Sequence, residues 1–446
     1  MSSDRIRDWL KENRITEVEC LVPDMTGRAR GKFIPADKFI KEDTRLPEAI
    51  LVQTVTGDYT VVHDELVGPM DADMMLRPDA DTMRLVPWVE YPTAQIIHDC
   101  YTREGEPHAL ATRNVLRRVL SLYEAEGWRP VVAPEVEFYL IQKNLDPDHE
   151  LEAPIGRSGR REAGRQAYSI DAVNEFDPII EEMYDFCEAQ NLDVDSLIHE
   201  SGIAQLEINF LHGDALNLAD QVFVFKRTVH EAALRHDIYA TFMAKPMEHE
   251  PGSAMHIHQS IVDTKTGLNI FSNEDGTEHE RFRHFIGGLQ KYTPGAIAFF
   301  APNVNSYRRF APKIAAPINL HWGYENRTAG IRVPDSSAQA RRVENRFPGV
   351  DTNPYLAIAV SLACGYLGMK QGIEASEPHT GDAFQEPITI ARSLEQALKL
   401  LNENDDLKEL LGLSFVKAYC AVKQEEFETF NRVISSWERE FLLLNV

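Results

Sequence analysis

Four short stretches of this 446-residue chain set carboxylates, imidazoles and guanidiniums at every second position. Val132–Leu140 carries Glu135 and Glu137, and Ala204–Phe210 carries Gln205, Glu207 and Asn209. Met255–Ile261 carries His256, His258 and Ser260, and Arg341–Phe347 carries Arg342, Glu344 and Arg346. Residues i and i+2 of an extended strand share a face, so each stretch gathers these groups on one side. A strand with one face in water alternates too, but these faces hold almost no Lys or Thr. Carboxylates two positions apart repel, and water, a partner cation or a metal must offset the repulsion. Glu and His together suit Mg²⁺ or Mn²⁺, of which Mn²⁺ tolerates imidazole better. Arginine forks match phosphate and carboxylate. Metal, phosphate and carboxylate in one place point to phosphoryl transfer or the making of an acyl phosphate.

Something must hold the four stretches side by side, and the pattern around them predicts an α+β chain. Helical spacing is expected over Asp4–Asn13, from a Thr112 cap to Gly127, over Asp177–Ala189 and Asp220–Arg235, and through a tail of Leu394–Leu401, Asp406–Leu411 and Phe415–Leu444. Val18–Val22, Lys32–Pro35, Ile50–Val55, Thr60–Val62 and Gln95–Ile97 read as short strands of a small first domain. The polar stretch Asp99–Pro107 divides residues 1–105 from a larger domain, residues 106–446. Residues 144–166, charged and rich in glycine, read as a surface loop.

Composition narrows the partners. The net charge of −24 disfavours nucleic acid, whose phosphates need Lys and Arg. The longest apolar run, Pro354–Met369, falls short of the ~20 residues of a membrane span and reads as a core helix. Five scattered cysteines without CxxC spacing fit a reduced, cytoplasmic protein, and Met1–Trp9 lacks the apolar core of a signal peptide.

Further residues extend the pattern. Pro134-Glu135-Val136-Glu137-Phe138, His199-Glu200 through Glu207, and Gly252-Ser253-Ala254-Met255-His256-Ile257-His258 follow one another along the chain. Asn326-Arg327-Thr328-Ala329 through Arg332-Val333-Pro334 and Arg341 through Phe347 complete the series. In order and spacing these five segments resemble the signatures of the glutamine synthetase family, and the resemblance spans essentially the whole chain. It implies a β-grasp-like N-terminal domain, a catalytic domain with a curved antiparallel sheet, and a homododecamer of two hexameric rings with active sites between subunits. By position in the motifs, Glu137, Glu200 and Glu207 would hold one metal and Glu135, His256 and Glu344 a second. His258, Ser260 and Arg342 would contact ATP. Gly252, Arg309 and Arg346 would hold glutamate, and Arg327 and Arg332 the transferring phosphate. Asp58 resembles an N-terminal aspartate that reaches a neighbouring subunit's amine site, although in Thr56-Gly57-Asp58 it is equally a turn former.

The chain departs from the glutamine-forming pattern in three places. Ile314-Ala315-Ala316-Pro317 has Ala315 where those members carry a glutamate that serves ammonium. Pro251 stands where they have Asn, and Phe384 lies near a tyrosine that some members modify. These features resemble the γ-glutamylpolyamine and γ-glutamylputrescine synthetase branch. The implied reaction is ATP-dependent formation of γ-glutamyl phosphate, then attack by a primary amine. A glutamine synthetase using ammonia and a catalytically retired scaffold are the alternatives.

Overall fold

The computed structural model describes residues 2–311 and 316–446; Ala315 lies outside the described residues. The N-terminal part is a six-stranded sheet built from β1 (Glu17–Pro23), β2 (Ala29–Pro35), β3 (Thr44–Pro47), β4 (Asp73–Pro78), β5 (Arg84–Leu85) and β6 (Thr93–Tyr101). Its order is β2-β1-β6-β4-β3, with β5 also on β6. The pair β1–β6 is parallel and the others antiparallel. The helix Ser2–Glu12 covers it, burying Ile6 and Leu10 against Val18, Cys20, Ala94 and Ile96.

The larger sheet contains β7 (Trp128–Gln142), β8 (Val194–His199), β9 (Gln205–Phe210), β10 (Gly213–Asp214), β11 (Ile238–Thr241), β12 (Met255–Asp263), β13 (Trp322–Tyr324), β14 (Ile331–Val333) and β15 (Val343–Asn345). The main path runs β13-β14-β15-β12-β7-β9-β8 and is antiparallel except at β13–β14. Behind it lie the helices Ala215–Arg235, Glu280–Phe300 and Pro354–Gln371. The run expected to be a buried helix is one: Tyr355 through Gly365 are all buried. Gly288 and Gly368 let the last two helices touch, because a β-carbon on Gly288 would meet the Gly368 backbone at 2.7–2.8 Å.

Several local expectations give way. Ile50–Val55 is not a strand; Glu48–Val52 forms a 3₁₀ turn that buries Leu51 and Val52, and Thr60–Val62 pairs with nothing in a sheet. Leu51 and Val52 pack into the core without a ladder, while Val55 and Val61 face outward. Thr112 does not cap its helix. Its hydroxyl donates to the Pro23 carbonyl at 3.2 Å, tying the helix to the end of β1. The long tail helix breaks at 432–435, where Ser435 and Glu438 form a capping box that starts a new helix, Ser436–Leu442.

A buried ion network joins the N-terminal sheet to the helices behind the larger one. Arg113, at the start of the helix Thr112–Ala125, reaches Asp79 at 2.7 Å and Asp99 at 2.5 Å on the side of the N-terminal sheet and Asp220 at 2.8 Å in the helix Ala215–Arg235. Tyr355 adds its hydroxyl to Asp220 at 2.7 Å. No described helix is long and apolar enough to cross a membrane.

Candidate active site

Strand register makes the four stretches into one surface. Glu137 sits opposite Glu207, and Glu135 sits between Asn209 and His256. One step along, a cross-strand row runs Ala133, His258, Glu344, Arg332. Glu200 arrives just past the end of β8, where its amide donates to the Gln205 carbonyl at 2.8 Å and closes a tight β8–β9 turn.

These groups cluster as ligands would. One donor atom from each of Glu137, Glu200 and Glu207 lies within 4.8 Å of the others, and the same holds for Glu135, Glu207 and His256, and for Glu135, His258 and Glu344. The first set coincides with the expected trio. The expected set of Glu135, His256 and Glu344 is divided between the other two, one joining Glu135 and His256 to Glu207 and the other joining Glu135 and Glu344 to His258; His258 Nε2 is 2.8 Å from Glu135 Oε1, while His256 Nδ1 is 3.2 Å from Oε2. The reason is register, which brings His258 directly between Ala133 and Glu344.

Electrostatics separate the two sides of the cluster. Burial, and then the charge of Glu200, pushes Glu137 up to about 8. Glu207 is raised well above the usual carboxylate range by burial and by Glu135, Glu137 and Glu200. On the other side burial is overcome. Hydrogen bonds with His256 and His258 hold Glu135 far below its ordinary value. Glu344, fully buried, drops to about 2 because Arg346, His258 and His256 outweigh its desolvation. Glu344 forms an ion pair with Arg332 at 2.7 Å and another with Arg346. A face with carboxyls too crowded to ionise together fits a divalent cation, because its charge removes the repulsion. The all-oxygen trio suits Mg²⁺ and the histidine-containing sets suit Mn²⁺ as well.

Two cavities open on this face and share Glu135. One, of about 740 Å³, is lined by His258, Ser260 and Arg342 with Arg129, Asp195 and His212 among others. The second, of about 510 Å³, is lined by Glu137, Glu200, Glu207, His256, Gly252, Arg309, Arg327, Arg332 and Arg346, with Tyr168, Ile198, Pro251, Ala316 and Phe384 completing its wall. Buried Nε atoms of Arg332 and Arg346 have no partner, which leaves donors for an anion. Arg309 is fully engaged at its tip. It donates to the carbonyls of Phe347 at 3.0 Å and Arg346 at 3.2 Å, and burial lowers it to about 10. Its stem presses on Gly252, where a β-carbon would meet Arg309 Cδ at 3.0 Å and the Ala244 carbonyl at 2.7 Å. Asp58 lies apart. It is exposed, lines neither cavity, and closes a turn with Thr54 and Thr56.

Two supports, Glu162 and Tyr168, carry no sign in the sequence, and a third, Gln205, shows there only as a polar residue of the β9 face with no role of its own. Gln205 points its amide at Glu137, Gly252 and Ser253, tying β9 to the loop before β12. Glu162, in the stretch expected to be a surface loop, is buried against His199 at 3.1 Å and accepts from Ala204 N–H at 2.7 Å. Tyr168 holds a left-handed backbone with φ 63° and lines the second cavity. The alternation that picked out Glu207 also put Gln205 on that face; Glu162 and Tyr168 lie where no such period exists.

A chain with such a carboxylate-lined double cavity on an antiparallel sheet is built as an ATP-dependent ligase. Residues 109–442 match the family described as glutamine synthetase, catalytic domain, and the chain belongs to the glutamine synthetase family. It is 33% identical over 441 residues to the gamma-glutamylputrescine synthetase PuuA of Escherichia coli strain K12, covering 96% of this chain and 92% of that one. It is 32% identical to a glutamate–isopropylamine ligase of a Pseudomonas species, covering 97% and 96%, and 35% identical to a glutamine synthetase of Pyrococcus abyssi, covering 93% and 90%. The fold superimposes on the solved structure of a GmaS/ADP complex with a TM-score of 0.85 at 26% identity, covering 98% and 99%. The family uses ATP and divalent cations on small-molecule substrates.

Proposed function

We propose that this chain joins the γ-carboxylate of glutamate to a primary alkylamine at the expense of ATP, through γ-glutamyl phosphate. The observation that carries the reading is the pair of cavities meeting at Glu135. A nucleotide in the larger one, held by His258, Ser260 and Arg342, would present its terminal phosphate at the carboxylate cluster. Glutamate would occupy the smaller one, with Gly252, Arg309 and Arg346 shaping its seat.

Divalent cations held by Glu137, Glu200 and Glu207, and by Glu135, His256 and Glu344, would supply charge neutralisation of the transferring phosphoryl group. Arg327 and Arg332, which both line the smaller cavity, would take its oxygens. The second step needs a neutral amine, and an alkylamine is mostly ammonium near pH 7, so a carboxylate must hold and deprotonate it. Asp58, exposed and remote from its own cavities, serves this role only across a subunit boundary.

The amine side supports an alkyl substrate. Tyr168, Ile198, Pro251, Ala316 and Phe384 form its wall, and Ala315 replaces a charged residue with a methyl group in the sequence. Burying each methylene contributes roughly 0.8 kcal/mol, so a four-carbon chain gains about 3 kcal/mol that ammonium cannot. Putrescine and longer polyamines are the favoured candidates.

The reading extends to assembly as a homododecamer of two hexameric rings. Val433, Ile434, Trp437, Phe441, Leu443 and Leu444 leave an apolar tail exposed on the single chain, a surface that subunit contact would cover. Five buried, unbridged cysteines support a cytoplasmic setting. Phosphate release from ATP plus glutamate, compared across ammonium and a panel of amines, tests the function. Turnover with ammonium alone would make the chain a glutamine synthetase.

A further inference from the structure

Away from the carboxylate face, a third cavity of about 570 Å³ lies in the seam between the two domains. The N-terminal domain contributes the helix Ser2–Glu12 and residues 80–84, and the catalytic domain contributes residues 190–193 and the start of the helix Ala215–Arg235. Arg84 lines it. That side chain is 5% exposed, yet its guanidinium makes no hydrogen bond, with Nε and Nη1 both buried and unpartnered. An unpaired buried guanidinium is costly. Arg84 feels Asp220, Tyr355 and Asp193 only at a distance, and burial still lowers its pKa. The two domains therefore meet at a cation that lacks its counter-group.

The rest of the lining carries the opposite sign. Asp8, Glu12 and Asp193 are exposed on the cavity wall, whereas Asp81 is taken up by Arg5 at 2.5 Å. Asp193 is held in place by Gln221, whose amide donates to it at 2.7 Å. Trp9 and Met83 supply the apolar part of the wall. A plain anion would be repelled by three carboxylates, and a plain cation by Arg84. A molecule bearing one carboxylate and one ammonium satisfies both, since a carboxylate accepts a charge-assisted hydrogen bond from a guanidinium.

We propose that this seam is a second ligand site, which takes a zwitterionic amino acid with its carboxylate on Arg84 and its ammonium toward Asp8, Glu12 and Asp193. The site is separate from the glutamate-and-amine cavity and does not depend on which amine the enzyme uses. Its occupant bridges the domains beside the Arg113–Asp220–Tyr355 network, so binding stabilises their junction.

The test is equilibrium dialysis of the full-length protein with isotopically labelled glycine, L-alanine, L-lysine and L-glutamine. ADP fills the nucleotide cavity, and a parallel run on Gly252→Ala, whose glutamate seat is disturbed, separates binding there from binding at the seam. The expected result is one saturable site per chain for at least one of the four. Arg84→Gln should weaken it about tenfold or more, the value of one charge-assisted hydrogen bond. Asp8→Asn with Glu12→Gln, on an exposed helix face, should weaken it too, and it keeps the test decisive if Arg84→Gln does not fold. Turnover with glutamate as the only amino acid present should stay unchanged in the helix variant. Absence of saturable binding under these conditions, or binding indifferent to both variants, would overturn the proposal.

Discussion

Glu135 Oε1 and His258 Nε2 stand 2.8 Å apart on neighbouring strands, at the point where the two catalytic cavities join. One carboxylate thus borders both the space assigned to nucleotide and the space assigned to glutamate. Its other oxygen lies 3.2 Å from His256, so Glu135 has no freedom to turn away from the junction. A nucleotide and a carboxylic acid bound on either side would meet over this residue, as transfer between them demands.

The carboxylates on the other side of the cluster lead to the first prediction. Glu137→Gln keeps an acceptor for the Ala254 amide, 2.8 Å away, while removing one of three crowded charges. Turnover should fall at least about 100-fold, the scale expected for disturbing a metal set. The metal-free protein should melt no lower than wild type, and its gain in Tm on adding Mg²⁺ or Mn²⁺ should shrink. Full activity of this variant in excess chelator would remove the metal assignment.

How much of this was legible in the sequence follows from which forces are local. Period-two alternation put Glu135 with Glu137 and His256 with His258 on common faces, because pleating alone dictates it. Which face meets which is set by register between distant strands, so the drawing of His258 into the Glu135 cluster could not be read. Glu162 and Tyr168 reach the site from an irregular stretch, where no period exists to read. Ile50–Val55 misled because apolar β-branched residues fit a buried 3₁₀ turn as well as a strand. Arg113 was invisible as a junction, since its three carboxylate partners lie 14, 34 and 107 residues away.

Arg113 gives the second prediction. Arg113→Met leaves Asp79, Asp99 and Asp220 without their shared cation, and Arg117 compensates only Asp79 and Asp99. Breaking a buried ion network in this way costs about 3–5 kcal/mol. Urea unfolding should show a loss of that size. A loss within experimental error of zero would mean that the ion network adds nothing to the junction.

Gly252 gives the third. Its missing side chain is what lets Ala244 and Arg309 close on it, so Gly252→Ala must displace Arg309 from the carbonyls of Arg346 and Phe347. A shift near 1 Å at a positioning group costs about 100-fold in kcat/KM. The loss should appear chiefly in the glutamate dependence, with the KM for ATP little changed. A uniform fall with both KM values intact would point to unfolding instead.

His98 sets the acid limit of the N-terminal domain. It is 1% exposed, and its Nδ1 lies 2.9 Å from the Ile96 carbonyl. Burial lowers it from 6.5 to about 4, so the folded protein keeps it neutral where the unfolded chain protonates it. The unfolded state binds more protons between pH 6.5 and 4, and stability drops as pH falls through that window. The displacement corresponds to about 3 kcal/mol at most. His98→Asn, which retains a donor near Nδ1, should flatten the fall in Tm between those pH values; an unchanged slope would assign the acid sensitivity elsewhere.

The central claim is the nucleophile. Initial rates of phosphate release should be measured with ATP, glutamate and Mg²⁺ or Mn²⁺, against concentration series of ammonium, methylamine, isopropylamine, putrescine and spermidine. The cavity wall of Tyr168, Ile198, Pro251 and Phe384 predicts that kcat/KM for an alkylamine, with putrescine or spermidine foremost, exceeds that for ammonium by about 100-fold, the share of roughly 3 kcal/mol that a four-carbon chain can bury. The released product should contain a γ-glutamyl amide of the same amine. If ammonium gives the highest kcat/KM of the series and glutamine is the product, the account of the amine site is wrong.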